Sequence, residues 1–123
     1  MTESQYQNKI AEELVEYGGV AINGIYTKKG EADLQCGISW DNHFLHLAIE
    51  VKTKKNYIHL MKGITISDGL YEIIDYKYIT PREKTQIYKI NRNRELGGRA
   101  LLAYEFNQVL AYMNGEEDIY ATS

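Results

Sequence analysis

The stretch from Gly30 to Lys55, GEADLQCGISWDNHFLHLAIEVKTKK, decides the fold. Two runs rich in β-formers flank Asp41-Asn42, a residue pair suited to a two-residue hairpin turn. With those two as the loop, Trp40 faces His43. Leu34, Cys36 and Ile38 then share one face with Leu45, Leu47, Ile49 and Val51. That face is apolar throughout and is predicted to lie on the core. The other face sets Asp33, Gln35, Gly37 and Ser39 against Phe44, His46, Ala48 and Glu50. In this register Asp33 sits opposite Glu50, and Glu31 opposite Lys52.

Like charges facing each other across a sheet are destabilising. An acid pair this close has three physical resolutions. The two groups share a proton, a basic side chain bridges them, or a hard cation sits between them. Glu50 and Lys52 are two apart on one strand and project to the same side, while Val51 between them faces the core. The pattern is an acid pair with an ammonium group beside it. With a divalent cation and water, such a set suits hydrolysis of a phosphodiester bond. The plain alternative is two solvated acids and a surface ion pair.

Outward from this hairpin, the flanking segments carry clear punctuation. Thr2 and Gln5 form a capping box for a helix over TESQYQNKIAEELVEYGG, with Tyr6, Ile10, Leu14 and Tyr17 as its apolar stripe and Gly18-Gly19 as its stop. Glu3 and Gln7 lie on a more polar line of the same helix. Val20–Tyr26 is predicted as a first strand. Asp68-Gly69, between ITIS and LYEI, signals a second hairpin. Thr80, Pro81 and Glu83 open another helix, which Gly97-Gly98 ends. RALLAYE is predicted as a short buried strand, followed by a last helix capped by Asn107.

The 123 residues suit one domain, with 1–123 read as a single unit. One cysteine, Cys36, excludes a disulfide framework and a Cys/His zinc cluster. His43, His46 and His59 lack helical metal-binding spacing. No signal peptide or membrane-spanning run is evident, which points to a cytoplasmic location in a bacterial or phage-infected cell. The net charge of −3 argues against a surface that coats nucleic acid broadly. The charge is uneven, however: Arg82–Arg99 carries +4 and the remainder −7.

GEADL at Gly30–Leu34 and IEVK at Ile49–Lys52, with their helical flanks and GGRALLAY at Gly97–Tyr104, resemble the virus-type replication-repair nuclease (VRR-NUC) family of the PD-(D/E)xK nucleases. The resemblance covers most of the chain. It implies an α/β, restriction-endonuclease-like core in which helices flank a mixed β-sheet. It implies that Asp33 and Glu50 bind Mg²⁺ or Mn²⁺ with help from the Val51 backbone carbonyl, and that Lys52 assists the nucleophile. Glu3 is the counterpart of the first-helix acid, supported by Gln7, and Gln86 is a supporting site residue. It also implies a homodimer cutting branched, flapped or Holliday-junction DNA, without a membrane role. On such an enzyme Lys54, Lys55, Lys84, Lys89 and Arg92 are read as DNA-backbone contacts. Two departures stand out. Ala32 replaces the usual proline before the aspartate. An insert near 56–80, read as a β-hairpin with Tyr57, Tyr71, Tyr76 and Tyr78, has no counterpart; its tyrosines could meet bases, a second copy or the active-site mouth. Two other readings compete: a sequence-specific homing or restriction-type nuclease, and a nuclease-fold module that binds nucleic acid or protein without cutting.

Overall fold

The computed structural model describes residues 1–21 and 33–117. The elements run α1 (Glu3–Tyr17), β1 (Val20–Ala21), β2 (Leu34–Trp40), β3 (His43–Val51), α2 (Lys54–Met61), β4 (Ile64–Ser67), β5 (Leu70–Ile73), a 3₁₀ turn (Tyr76–Tyr78), α3 (Pro81–Glu95), β6 (Ala100–Ala103) and α4 (Phe106–Met113). The predicted first strand beyond Ala21, and Glu31 with most of GEADL, lie outside the described residues. Among the described residues no helix is long and apolar enough to cross a membrane.

The hairpin forms in the expected register. Asp41 and Asn42 both adopt positive φ, 52° and 65°, which is the requirement of a type I′ turn. Trp40 pairs with His43 and Leu34 with Ile49. β1 pairs with β2, and β6 pairs with β3 in parallel, giving a mixed four-stranded sheet ordered β1-β2-β3-β6.

The side-chain alternation then sorts the helices onto two faces. On one, Leu34, Cys36, Ile38, Leu47, Ile49, Val51, Leu101 and Ala103 pack with Ile10 and Leu14 of α1 and with Phe106 and Val109 of α4. On the other, Ala48, Ala100 and Leu102 meet Tyr57, Leu60 and Met61 of α2, Ile87 and Ile90 of α3, and the β4–β5 hairpin through Ile64 and Tyr71. Glu50 alternates with Ile49 and Val51, so it is turned toward the second face. The last five residues of β3 are all buried, whereas its first four are not. The parallel partner β6 and the crossover elements between them cover that end.

Three expectations need correction. The segment 56–80 is not a hairpin alone, because α2 precedes the hairpin and the 3₁₀ turn follows it. α2 is capped by the Thr53 side chain, which accepts from the Asn56 amide. The last helix begins at Phe106 with Glu105 at its cap, not Asn107. Gln108 reaches back, its Oε1 accepting from the amides of Tyr104 (2.7 Å) and Glu105 (3.2 Å), and this starts the helix earlier. Tyr17 ends the α1 stripe but is about half exposed, stacking on Trp40 at 6.1 Å.

The hairpin after α2 is fastened to α3. The Asn91 side chain takes the place of a neighbouring strand at Tyr71, accepting from its amide (2.9 Å) and donating to its carbonyl (2.8 Å). Arg94 lies between the rings of Tyr71 and Tyr112, 4.6 and 4.5 Å from their centroids. Its guanidinium donates to the Gly69 and Ala100 carbonyls and pairs with both Glu117 oxygens at 2.8 and 2.7 Å. Tyr71 completes the knot by donating to Glu117 and accepting from the Leu102 amide. Removing one partner of a buried, hydrogen-bonded pair leaves the other charge uncompensated. Arg94→Ala should therefore cost about 3–5 kcal/mol in urea unfolding. A loss below about 1 kcal/mol, the size of a surface pair, would show that the cluster is not a fastening.

Candidate metal and acid site

The site gathers at the carboxyl end of β3, the end of a strand where open α/β sheets usually bind ligands. Asp33 immediately precedes β2 and comes to Glu50 as the hairpin register requires. Its Oδ2 accepts from the Val51 amide at 3.0 Å, so the carboxylate itself closes the end of the ladder. Gln7 of α1 donates from Nε2 to the Asp33 carbonyl at 3.0 Å, fixing the backbone there. Gln7, expected to support Glu3, is instead hydrogen-bonded to the Asp33 backbone, tying α1 to the start of β2.

Glu50 is 7% exposed. Its Oε1 accepts from Gln86 Nε2 of α3 at 2.7 Å, and its carboxyl lies within hydrogen-bonding reach of Asp33. Burial, then the adjacent Asp33 charge, pushes the Glu50 carboxyl up to about 8. Glu3, on the open side, also lies within hydrogen-bonding reach of Asp33; partial burial and then that charge raise its carboxyl as well. Lys52 and Arg82 oppose both shifts. The structure thus brings Glu3, Asp33, Glu50, Lys52 and Gln86 together, with Val51 between Glu50 and Lys52.

Lys52 is 8% exposed, and its Nζ lies 3.6 Å from Glu83 Oε2. The other Glu83 oxygen accepts from the Thr80 amide at 3.0 Å, closing the α3 capping box. One carboxylate therefore starts a helix and holds the ammonium group. Sequence reading identified Glu83 only as a cap and did not place Arg82 at the site. The signal was available: Arg82 and Glu83 stand four and three residues before Gln86, on one face of α3.

The expected DNA contacts divide. Lys54 and Lys55 are exposed at the start of α2, and Lys54 Nζ lies 5.9 Å from the Tyr104 ring centroid. Lys84, Lys89 and Arg92 are exposed on α3. A groove of about 490 Å³ between α1 and α4, lined by Lys9, Glu13, Tyr17 and Glu105 among others, shares no residue with the acid site.

Among the described residues no three His, Cys, Asp or Glu side chains form a ready metal cage. The available donors are nonetheless those of a hard cation that keeps several water or substrate ligands. Asp33 and Glu50 place two carboxyl groups side by side in a largely buried corner, where ionising both is costly without a cation. The buried Gln86 Oε1 also lacks a hydrogen-bond partner. These residues fit Mg²⁺ or Mn²⁺. Compared with protein-family models, curated proteins and solved structures, the chain has no match.

The raised Glu50 carboxyl makes stability fall with pH. Below the ordinary carboxylate range the group is protonated both folded and unfolded. Between there and about 8 only the folded form retains the proton, so folding weakens as pH rises. In EDTA, urea unfolding should show this decline, up to about 1.4 kcal/mol per pH unit. Glu50→Gln should flatten it and raise stability at neutral pH. An unchanged slope would mean that Glu50 ionises freely in the folded state.

Proposed function

We propose that the protein is a metal-dependent nuclease hydrolysing phosphodiester bonds in DNA, with a restriction-endonuclease-like core. The observation that carries this reading is the closeness of the Asp33 and Glu50 carboxyls, with Lys52 near enough to act on Glu50, at the buried end of β3. A folded protein gains nothing in stability from two acids held so closely, because each raises the cost of ionising the other. Their juxtaposition makes sense as a preformed cation site. The motif order resembling the VRR-NUC family supports the same conclusion.

Asp33, Glu50 and the Val51 carbonyl would hold Mg²⁺ or Mn²⁺, with Glu3 reaching from the open side. When bound, the ion supplies Lewis-acid polarisation of the phosphate and lowers the pKa of attacking water. The chain's own groups do the rest. Gln86 orients the Glu50 carboxylate through its 2.7 Å hydrogen bond. Gln7 and the Val51 amide keep Asp33 from swinging away. Lys52 stabilises charge developing on the phosphate or orients the water. Its pairing with Glu83 keeps the ammonium from collapsing onto the acid pair.

The test is incubation with single-stranded, duplex, flapped and four-way-junction DNA in Mg²⁺, Mn²⁺ or EDTA. Cutting should require the metal and fall by at least about a hundredfold in Asp33→Ala and Lys52→Ala, in line with the loss of a preorganised charge. Activity in EDTA, or no cutting in any metal, would contradict the reading. Cutting of one plain duplex sequence alone would point to a sequence-specific enzyme instead.

Glu83→Gln separates its two roles. Glutamine also serves in a capping box. This variant should therefore melt close to the parent yet cut about tenfold more slowly at saturating DNA, as expected for a modest loss of positioning. Thr80→Ala should do the reverse, losing about 1 kcal/mol of stability with the Lys52 partner intact. Equal losses of activity in both variants would make Glu83 a cap and nothing more.

A further inference from the structure

The four tyrosines of the 56–80 segment separate sharply. Tyr57 and Tyr71 are 4% exposed and belong to the core. Tyr78 is half-buried against the His59 ring at 5.3 Å. Tyr76, by contrast, is 61% exposed, and Tyr88 on α3 is 68% exposed. Lys84 relates to both. Its Nζ lies 5.4 Å from the Tyr76 ring centroid, and it is one turn before Tyr88 on the same helix face. Folding gains little from either ring, since neither is buried.

The backbone beneath Tyr76 is held by several hydrogen bonds. The Gly63 carbonyl accepts from the Ile74 amide at 2.7 Å and from the Asp75 amide at 3.3 Å. Asp75 Oδ1 caps the 3₁₀ turn at the Lys77 amide. A Cβ at Gly63 would lie 2.5 Å from the Asp75 carbonyl oxygen, so glycine is required for this close approach. The hairpin is further fixed to α3 through Asn91 and Arg94.

The charge around the rings is mainly positive. Arg82, Lys84 and Lys77 are exposed there. Lys77 and Asp75 pair with each other at 3.6 Å and offset one another, and Glu83 pairs with Lys52; the positive excess therefore comes from Arg82 and Lys84, against exposed Glu72 of β5. Arg82 also acts on Glu3 and Glu50, so the basic strip runs from the acid site around the first turn of α3.

We infer that Tyr76, Lys84 and Tyr88 form a platform for an unpaired nucleic-acid strand, with bases stacked on the two rings and a phosphate at Lys84. This inference rests on the nuclease reading and names the part of the substrate that the 56–80 segment contacts. Exposed rings with a cation near them suit alternating bases and phosphates. Paired bases cannot offer their faces to such rings without leaving the duplex stack. A protein partner could also bury tyrosines. Arg94 is held by Glu117, but exposed Arg82, Lys84, Lys89 and Arg92 still give α3 a positive excess in a chain of net charge −3, which favours a polyanion.

The experiment measures binding without cutting. Anisotropy of a labelled short oligothymidine, and of a blunt duplex of equal length, is followed with the full chain in EDTA. The parent should prefer the single strand. Tyr76→Ala and Tyr88→Ala should each weaken that binding by about tenfold, and the phenylalanine variants should restore it. Lys84→Ala should weaken binding and reduce its salt dependence. Quenching of a 2-aminopurine placed in the strand reports stacking on the parent protein without any substitution. Alanine variants that bind like the parent, equal affinity for duplex, an unquenched probe, or self-association that occupies the patch would each overturn the platform. Ring-dependent binding in a protein that never cuts would sustain the platform and sink the nuclease reading. Metal-dependent cutting without ring dependence would do the opposite.

Discussion

A two-residue turn with both residues in left-handed backbone admits one strand register, and that register delivers Asp33 to Glu50. A slip of β2 by one residue against β3 would send Leu34, Cys36 and Ile38 to the wrong face. The apolar core therefore enforces the meeting of two acids that repel each other. Folding and site assembly are one event here: the contacts that bury the hairpin also set the carboxyl groups side by side.

The surrounding elements make this crowding tolerable. Gln86 and the Val51 amide donate to the acids, and Lys52 and Arg82 supply opposing charge. Glu83 links the ammonium to the first turn of α3, so the helix that shields Glu50 also orients Lys52. α1 contributes through Gln7 and Glu3, and neither of these residues belongs to the helix's buried stripe of Ile10 and Leu14. Each of these contacts comes from an element whose other face packs in the core, which is how a site is held to a fixed geometry.

Much of this was legible in the sequence because it is local. The capping boxes of Thr2 and Thr80, the Asp41-Asn42 and Asp68-Gly69 turns and the alternation of β3 depend on neighbours a few residues apart. α2 was missed although Tyr57, Leu60 and Met61 have helical spacing after the Thr53 cap. Eight residues with β-favouring neighbours give a weak signal, and packing against the sheet settles the outcome. The Asn107 cap was misassigned because the Gln108 side chain, reaching back along the chain, satisfies earlier amides. The Lys52–Glu83 pair and the Arg94–Glu117 knot span distant segments, and only the tertiary fold brings them together.

The most direct test of the proposed cation site is an anomalous-difference map from crystals grown with Mn²⁺. The account predicts one peak liganded by oxygens of both Asp33 and Glu50, absent in Asp33→Asn crystals. Those two carboxyl groups still in contact with each other at saturating Mn²⁺, with no peak between them, would contradict it.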